Sequence, residues 1–238
     1  MSVPGNLISN PGFEQYSGDP NNFPTIPSWS TFLGMPNAYW RIIDAGLNPA
    51  YASFVHSGLR SLSLFVPSFS SGSLLGVGVS QTFSPVPFCQ IGVPFYVSQG
   101  FFYGSGFTNF SVDVFPSSTS NPSWVHFEYG AGPSYNYLFM YAGPNNAGYY
   151  TTQQYFMQLG LGWHTLSVLT VPSGVSRGTT FYLDKTPYLQ AWGAVPSYLN
   201  NINFQIQSNP TGPMTQAQVE FDDISVFAAA STSRFKQT

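Results

Sequence analysis

Glycine and proline are spread along the whole chain, and their distribution is the strongest constraint on its fold. The sequence contains 23 glycines and 20 prolines in 238 residues. Proline removes a backbone donor and glycine weakens a regular helix, so no window is left for an uninterrupted helix of ordinary length. The window 151–162 is helix-tolerant but short and ambiguous. The chain is therefore predicted to be all-β.

Short segments alternate apolar and polar residues, which is the period of half-buried strands. Turn residues separate them at regular spacing, and the segments are 60–67, 76–83, 107–116, 123–130, 135–143, 164–172, 179–185, 202–209 and 219–227. Such a series predicts an antiparallel β-sandwich. We predict a single domain over residues 1–229 and a polar C-terminal tail over 230–238.

Charged residues are scarce. They make up 6% of the chain, against about 25% in typical soluble domains, and the formal net charge is −3. Aromatic residues are too frequent for disorder, and no apolar stretch is long enough for a transmembrane helix. The few lysines and arginines argue against nucleic-acid binding. A nearly neutral surface gives little repulsion between copies, so copies of the chain itself are predicted partners.

The single cysteine indicates the thiol chemistry of the protein, and the N-terminus bears on its cellular location. Cys89 excludes an intramolecular disulfide, and its apolar neighbours indicate a buried side chain rather than a reactive thiol. The N-terminus has neither the basic nor the apolar region of a secretion signal. We expect an extracellular or particle-surface location, reached without a signal or after removal of a leader.

Two adjacent carboxylates interrupt the last predicted strand, 219–227. Val219 and Phe221 alternate with polar residues, Asp222 and Asp223 follow, and Ile224 resumes the alternation one step out of phase. A phase slip of this kind resembles a β-bulge, which turns side chains away from the strand. The alternative is that both aspartates simply face solvent at a sheet edge.

Three ordered stretches carry a resemblance to a known family. They are "NLISNPGFE" (6–14), "FVHSGLRSLSL" (54–64) and "VEFDDISVF" (219–227), and "IPSWS" and "VSQTF" (79–83) follow the same order. Together they resemble the galactose-binding-like carbohydrate-binding modules, jelly rolls found on bacterial surface, spore-coat and phage proteins. "GWHTLSV" followed by "TTFYLD" is similar to concanavalin-like sandwiches. Residues 88–160 match neither pattern. Both resemblances imply a jelly roll, so the predicted fold is an all-β, antiparallel jelly-roll β-sandwich with an elaborated middle segment.

The resemblance implies a structural calcium ion that ties the first strand to the last. Carried over to this sequence, the ligands are Glu14 and Asp222, with Asp223 beside them and backbone carbonyls near Ser57 or Arg60. The chemistry is consistent, because calcium prefers several oxygen ligands.

A catalytic site is not predicted. Glycoside hydrolysis usually needs two facing carboxylates, and the chain has only 9 acidic residues. His126 and Glu128 are two residues apart on one predicted strand face and form its most enzyme-like pair. A sandwich surface presents such pairs by chance, so an enzyme using Glu128 and His126 is kept only as an alternative.

Aromatic residues beside amides suggest a carbohydrate-binding or contact surface, because aromatic faces stack on sugar rings and amides supply hydrogen bonds. The candidates are Trp40, Tyr135, Tyr137, Tyr149, Tyr150 and Trp192. The alternative is that these residues fill the core or bury at subunit contacts, whose composition is the same.

Two functions from different classes remain. The first is a non-catalytic, surface-displayed module that binds a polysaccharide or another glycan, as the resemblance implies. The second is a purely structural subunit of a multi-copy filament, coat or viral particle, which the low charge favours. The two are compatible, since a surface assembly can display sugar-binding sandwiches.

Overall fold

The structure is a computed structural model. It describes residues 5–34, 38–69, 75–98, 103–104, 107–116, 123–131, 136–144, 151–155, 159–173, 176–192, 198–209 and 214–229. Nearly all regular structure in these ranges is β, and a 3-10 helix spans Pro49–Phe54. Among the described residues, no helix has the length and apolar character needed to cross a membrane.

Sixteen strands are described. The first eight are β1 (Ser30–Leu33), β2 (Tyr39–Asp44), β3 (Arg60–Phe69), β4 (Leu75–Val86), β5 (Cys89–Val97), β6 (Tyr103–Gly104), β7 (Phe107–Phe115) and β8 (Ser123–Ala131). The others are β9 (Asn136–Pro144), β10 (Thr151–Tyr155), β11 (Gly162–Ser173), β12 (Ser176–Leu183), β13 (Thr186–Trp192), β14 (Leu199–Asn209), β15 (Met214–Phe221) and β16 (Ser225–Ala228).

The strands form two antiparallel sheets. The seven-stranded sheet has the order β1-β4-β14-β7-β8-β9-β10. The nine-stranded sheet has the order β13-β12-β11-β5-β15-β3-β2, with β16 paired to β5 and β6 paired to β15. This arrangement confirms the predicted all-β jelly-roll sandwich. That residues 1–229 form one domain stays a prediction, and the tail at 230–238 lies outside the described residues.

The core lies between the two sheets because strand alternation points one side of each sheet inward. The Phe110 ring of the seven-stranded sheet lies 4.8 Å from the Phe95 ring of the nine-stranded sheet. Phe204 and Phe221 meet in the same way, with ring centroids 5.0 Å apart. All four phenylalanine side chains are fully buried.

The predicted phase slip corresponds to an extra residue in the last strand. Phe221 pairs with Phe95 of β5, and Ser225 pairs with Gly92 of the same strand. Three residues therefore lie opposite two, so the chain carries one extra residue here, as it does in a bulge. The chain leaves the strand conformation at this point, since Asp223 has a φ of +49°. The segment predicted as a single strand over 219–227 is thus divided between β15 and β16.

The window 151–162, ambiguous in the sequence, begins with a strand. Residues Thr151–Tyr155 form β10, which pairs with β9 along the edge of the seven-stranded sheet. Pairing with β9 decides the structure here, because local propensity is a weak determinant beside tertiary contacts.

Candidate functional site

Polar and aromatic side chains cover the side of the seven-stranded sheet that faces away from the core. We call this side the polar face. Its described members are Asn109, Ser111 and Asp113 of β7, His126 and Glu128 of β8, Tyr137, Phe139 and Tyr141 of β9, and Asn203, Gln205 and Gln207 of β14. They alternate with buried core residues along the same strands, such as Val112 and Phe127.

The register aligns these side chains in rows that cross four strands. One row runs Asn203, Asp113, His126, Tyr141. The next row runs Gln205, Ser111, Glu128, Phe139. The rows place amides on β14, carboxylates and the imidazole in the middle, and aromatic rings on β9.

His126 lies between two carboxylates. Its Nδ1 atom is 2.6 Å from Asp113 Oδ1, and its Nε2 atom is 3.3 Å from Glu128 Oε2. Burial opposes the charged imidazolium, but the hydrogen bonds with Asp113 and Glu128 outweigh it and raise the pKa of His126 to about 9. The ring is therefore cationic at neutral pH. This cation offsets one of the two carboxylate charges.

Glu128 is held as a carboxylate. Burial alone would raise its pKa, but hydrogen bonds from His126 and Tyr137 lower it below the usual glutamate value. The Tyr137 hydroxyl donates to Glu128 Oε1, and Asn109 Nδ2 donates to the same oxygen at 2.9 Å. A carboxylate bound in this way is a poor proton donor.

A second set of hydrogen bonds extends the network toward β14. Ser111 Oγ donates to Asp113 Oδ2 at 3.2 Å, and Gln205 Nε2 donates to Ser111 Oγ at 3.0 Å. Two buried amide oxygens of the polar face, Asn109 Oδ1 and Asn203 Oδ1, have no hydrogen-bond partner within the described part of the chain. Both oxygens are shielded from solvent.

Aromatic rings border the network along β9. The Tyr141 ring stacks on the His126 ring with centroids 4.8 Å apart and an interplanar angle of 28°. Phe139 meets the same imidazole edge-on at 5.8 Å. Tyr137, Phe139 and Tyr141 are each half-buried. The rings thus combine fixed positions with partial exposure.

The residues predicted to bind calcium come together at a different place, which we call the acidic junction: Glu14, the 56–60 loop, Asp222 and Asp223. Asp222 Oδ2 accepts hydrogen bonds from the backbone N–H groups of His56 (2.9 Å) and Ser57 (3.1 Å). Asp223 Oδ2 lies 2.8 Å from His56 Nδ1. The Asp222–Asp223 break in the last strand places both carboxylates against this loop.

Glu14 joins the N-terminal segment to the same loop. Its Oε1 atom accepts hydrogen bonds from the N–H groups of Leu59 (2.8 Å) and Arg60 (3.2 Å). The guanidinium of Arg60 in turn donates to the Glu14 carbonyl and to Asp44. The loop thus presents backbone N–H groups to Glu14 and to Asp222.

Two carboxylate oxygens of the acidic junction face a small gap beside Gly12. A Cβ atom added to Gly12 would lie 3.3 Å from Asp222 Oδ1 and 3.3 Å from Asp223 Oδ1. Burial and the neighbouring Asp223 raise the pKa of Asp222 to about 8. A cation in this gap would suit both oxygens. Among the described residues, however, no group of three or more His, Cys, Asp or Glu side chains is arranged to hold a metal ion.

An open cavity of about 740 Å³ adjoins the acidic junction. Its lining includes Asn6, Asn10, Glu14, Ser57 and Asp223.

The other predicted contact residues are not gathered at either place. Trp40 is half-buried on β2, packs against the core and donates from Nε1 to the Pro24 carbonyl at 3.0 Å. Trp192 ends β13, and its side chain lies outside the described residues. Tyr135, Tyr149 and Tyr150 also lie outside them. Of the six, Tyr137 is the residue whose described side chain belongs to the polar face.

Sequence reasoning named His126, Glu128 and Tyr137 but missed Asp113, Asn109 and Gln205. The alternation of β7 shows which of its side chains share a face. What the sequence does not show is that β7 pairs with both β8 and β14, which brings Asp113 to His126 and Gln205 to Ser111.

No protein-family model and no curated protein sequence matches the chain. Solved structures do match, and we compare three. An endo-β-galactosidase from Clostridium perfringens that releases GlcNAcα1-4Gal has 11% identity and a TM-score of 0.52 over 91% of this chain and 64% of its own. The alginate lyase vAL-1 from a Chlorella virus has 11% identity and a TM-score of 0.51 over 86% of this chain and 94% of its own.

The third structure, the module TmCBM61 in complex with β-1,4-galactotriose, has 14% identity and a TM-score of 0.41 over 94% of this chain and 99% of its own. The chain spans less than two thirds of the endo-β-galactosidase and 17% of the length of a sialidase that it also matches. At these identities the likeness shows the fold alone, a jelly-roll β-sandwich.

Proposed function

We propose that the chain is a non-catalytic, surface-displayed module that binds carbohydrate through its polar face. The observation that carries the proposal is the alignment of half-buried aromatic rings on β9 with amides on β14 across a hydrogen-bonded centre. Carbohydrate recognition uses this combination, since rings stack on the apolar faces of sugars and amides bind hydroxyl groups. The endo-β-galactosidase and the alginate lyase that share the fold both act on glycans, which is consistent with a glycan ligand.

The geometry favours binding over hydrolysis. A glycosidase needs one carboxyl group that donates a proton and a second on the other side of the glycosidic bond. Here the His126 ring bridges Asp113 and Glu128, and Glu128 has a lowered pKa. The His126 ring therefore lies between the two carboxylates, where the glycosidic bond of a substrate would have to lie. Hydrolysis using Glu128 and His126 therefore remains the weaker alternative.

Removal of a stacking ring tests the proposal. We would compare the wild type with Tyr141→Ala on a panel of immobilised polysaccharides, with Tyr182→Ala of β12 as a control that changes an equally half-buried tyrosine on the other sheet. Stacking is worth about 0.5–1.5 kcal/mol beyond area burial, so Tyr141→Ala should weaken binding by about two- to twelve-fold and the control should not. Equal binding by wild type and Tyr141→Ala would place the ligand elsewhere.

The same panel tests catalysis. Wild-type protein should release no new reducing or unsaturated chain ends from any glycan that it binds. Release that disappears in Glu128→Gln would make the enzyme alternative the correct one.

A structural calcium ion at the acidic junction is part of the proposal. Its support is the pair of aspartate oxygens beside Gly12, together with the hard-oxygen chemistry that calcium prefers. Glu14, Asp222 and Asp223 would hold the ion, with Ser57 nearby, and the ion would fasten the first segment of the chain to the last strand. A bound ion must raise the melting temperature by mass action, so excess calcium and excess chelator should give different melting points. Identical melting points would exclude calcium, and Asp222→Asn should remove any difference.

Assembly into a filament, coat or particle is a second candidate, which one observation supports. Strand β1 is the outermost strand of its sheet within the described part of the chain, and all four of its residues are exposed. They include Phe32 and Leu33 and carry no charge. An exposed, uncharged edge strand readily pairs with another copy. Light scattering over a range of concentrations, with electron microscopy, tests this; a monomer at high concentration would rule it out.

A further inference from the structure

The charges of the polar face define which glycans it can accept. Its described charged groups are the carboxylates of Asp113 and Glu128 and the imidazole of His126 between them. Even with the imidazole protonated, the sum of their charges is negative. A ligand that lies across these rows therefore meets a net negative centre.

Basic residues are absent from all seven strands of this sheet. Their sequences contain neither lysine nor arginine. The six basic residues of the chain are Arg41 in β2, Arg60 in β3, Arg177 in β12, Lys185 in the turn before β13, and Arg234 and Lys236 in the tail outside the described residues. A carboxylate or sulfate on a sugar would find no guanidinium or ammonium partner on these strands, which is the usual way that proteins bind such groups.

We propose that the polar face selects neutral glycans and rejects uronate-containing, sulfated and sialylated ones. The inference rests on the proposed function, since it names the ligand class of the same site. Asp113 and Glu128 act as specificity-determining residues through repulsion, and the amides supply hydrogen bonds to hydroxyl groups. Neutral ligands bind without ion pairing, so their affinity changes little with salt.

Matched pairs of glycans that share a backbone test the inference. Suitable probes are methyl-esterified polygalacturonate against polygalacturonate, desulfated κ-carrageenan against κ-carrageenan, and asialo- against sialyl-glycans, together with neutral galactan, glucan, mannan and xylan. Binding is measured at low and at high salt. Each acidic member should bind at least about ten-fold more weakly than its neutral counterpart at low salt, a ratio equivalent to about 1.4 kcal/mol.

Two variants distinguish the effect of a charge on the polar face from the effect of the net charge of the protein. Glu128→Gln removes one negative charge from the polar face, and Asp19→Asn removes one from an exposed position outside the seven-stranded sheet. The ratio of neutral to acidic affinity should fall in Glu128→Gln and stay unchanged in Asp19→Asn. An equal fall in both variants would overturn the assignment to the polar face.

The outcomes distinguish this inference from the proposed function. Equal or tighter binding of an acidic member, lost at high salt, would overturn the inference and leave carbohydrate binding intact. Binding to none of the probes would overturn the proposed function, and the inference with it.

Discussion

The phenol ring of Tyr137 covers the backbone of Gly130 on the neighbouring strand. The two residues are directly paired between β9 and β8, and a Cβ atom added to Gly130 would collide with the ring. The absence of a side chain at position 130 lets the ring lie low enough for its hydroxyl to donate to Glu128. The position of Tyr137 in the polar face thus depends on a glycine.

Gly130→Ala should displace Tyr137 and weaken its hydrogen bond to Glu128. Overpacking of this kind costs about 1–3 kcal/mol, so chemical denaturation should show a loss of unfolding free energy in that range. Gly160→Ala is the matched control, because a Cβ there meets nothing within 4 Å. Its unfolding free energy should stay within about 0.5 kcal/mol of wild type. Equal unfolding free energies for Gly130→Ala and Gly160→Ala would show that the position of the Tyr137 ring does not depend on the missing side chain at Gly130.

Much of the fold follows from local pattern. The alternation of 60–67, 107–116 and 202–209 identified β3, β7 and β14, because side chains on a strand alternate between core and surface. The same rule put His126 and Glu128 on one face, where the structure places both. The phase slip at Asp222 also anticipated the extra residue between β15 and β16.

The partners across strands could not be read from the sequence in the same way. Asp113 reaches His126 because β7 pairs with β8, and Gln205 reaches Ser111, 94 residues earlier, because β14 pairs with β7. These contacts depend on strand order and register, which the whole core determines. Composition likewise could not separate a core-packed Trp40 from a surface Tyr137, since both are aromatic residues beside polar neighbours.

Gly58→Ala should destabilise the acidic junction in two separable ways. Gly58 has a φ of +70°, which is unfavourable for alanine, and an added Cβ would collide with Glu14 Oε1. Gly162→Ala provides the comparison, because Gly162 has a φ of +117° but no atom within 4 Å of the added Cβ.

A double-mutant cycle isolates the collision. In a Glu14→Ala background the carboxylate that the added Cβ would meet is absent. The loss of unfolding free energy caused by Gly58→Ala should therefore be smaller than in the wild type, by at least about 1 kcal/mol. Strictly additive effects would mean that the Glu14 carboxylate does not contact the loop at Gly58.

The thiol of Cys89 should be unreactive in the folded protein. The side chain is fully buried, and burial raises its pKa to about 12, although a hydrogen bond with Thr170 works in the opposite direction. Since the thiolate is the reactive form, a thiol-specific disulfide reagent at pH 8 should label the denatured chain fully and the native chain very slowly. Rapid labelling of the native protein would contradict the burial of this strand.

The stability of the protein should fall between about pH 6.5 and pH 9 because of His126. The hydrogen bonds with Asp113 and Glu128 raise its pKa from 6.5 to about 9 against the effect of burial. A raised pKa means that the folded state holds the proton more tightly than the unfolded state does. The stabilisation is therefore complete below pH 6.5 and is lost as the pH rises through 9, and it amounts to about 3 kcal/mol. Unfolding free energies measured from pH 6 to pH 10 should show this loss in the wild type and a flatter profile in His126→Gln. Parallel profiles for the two proteins would show that the imidazole does not hold its proton between the two carboxylates.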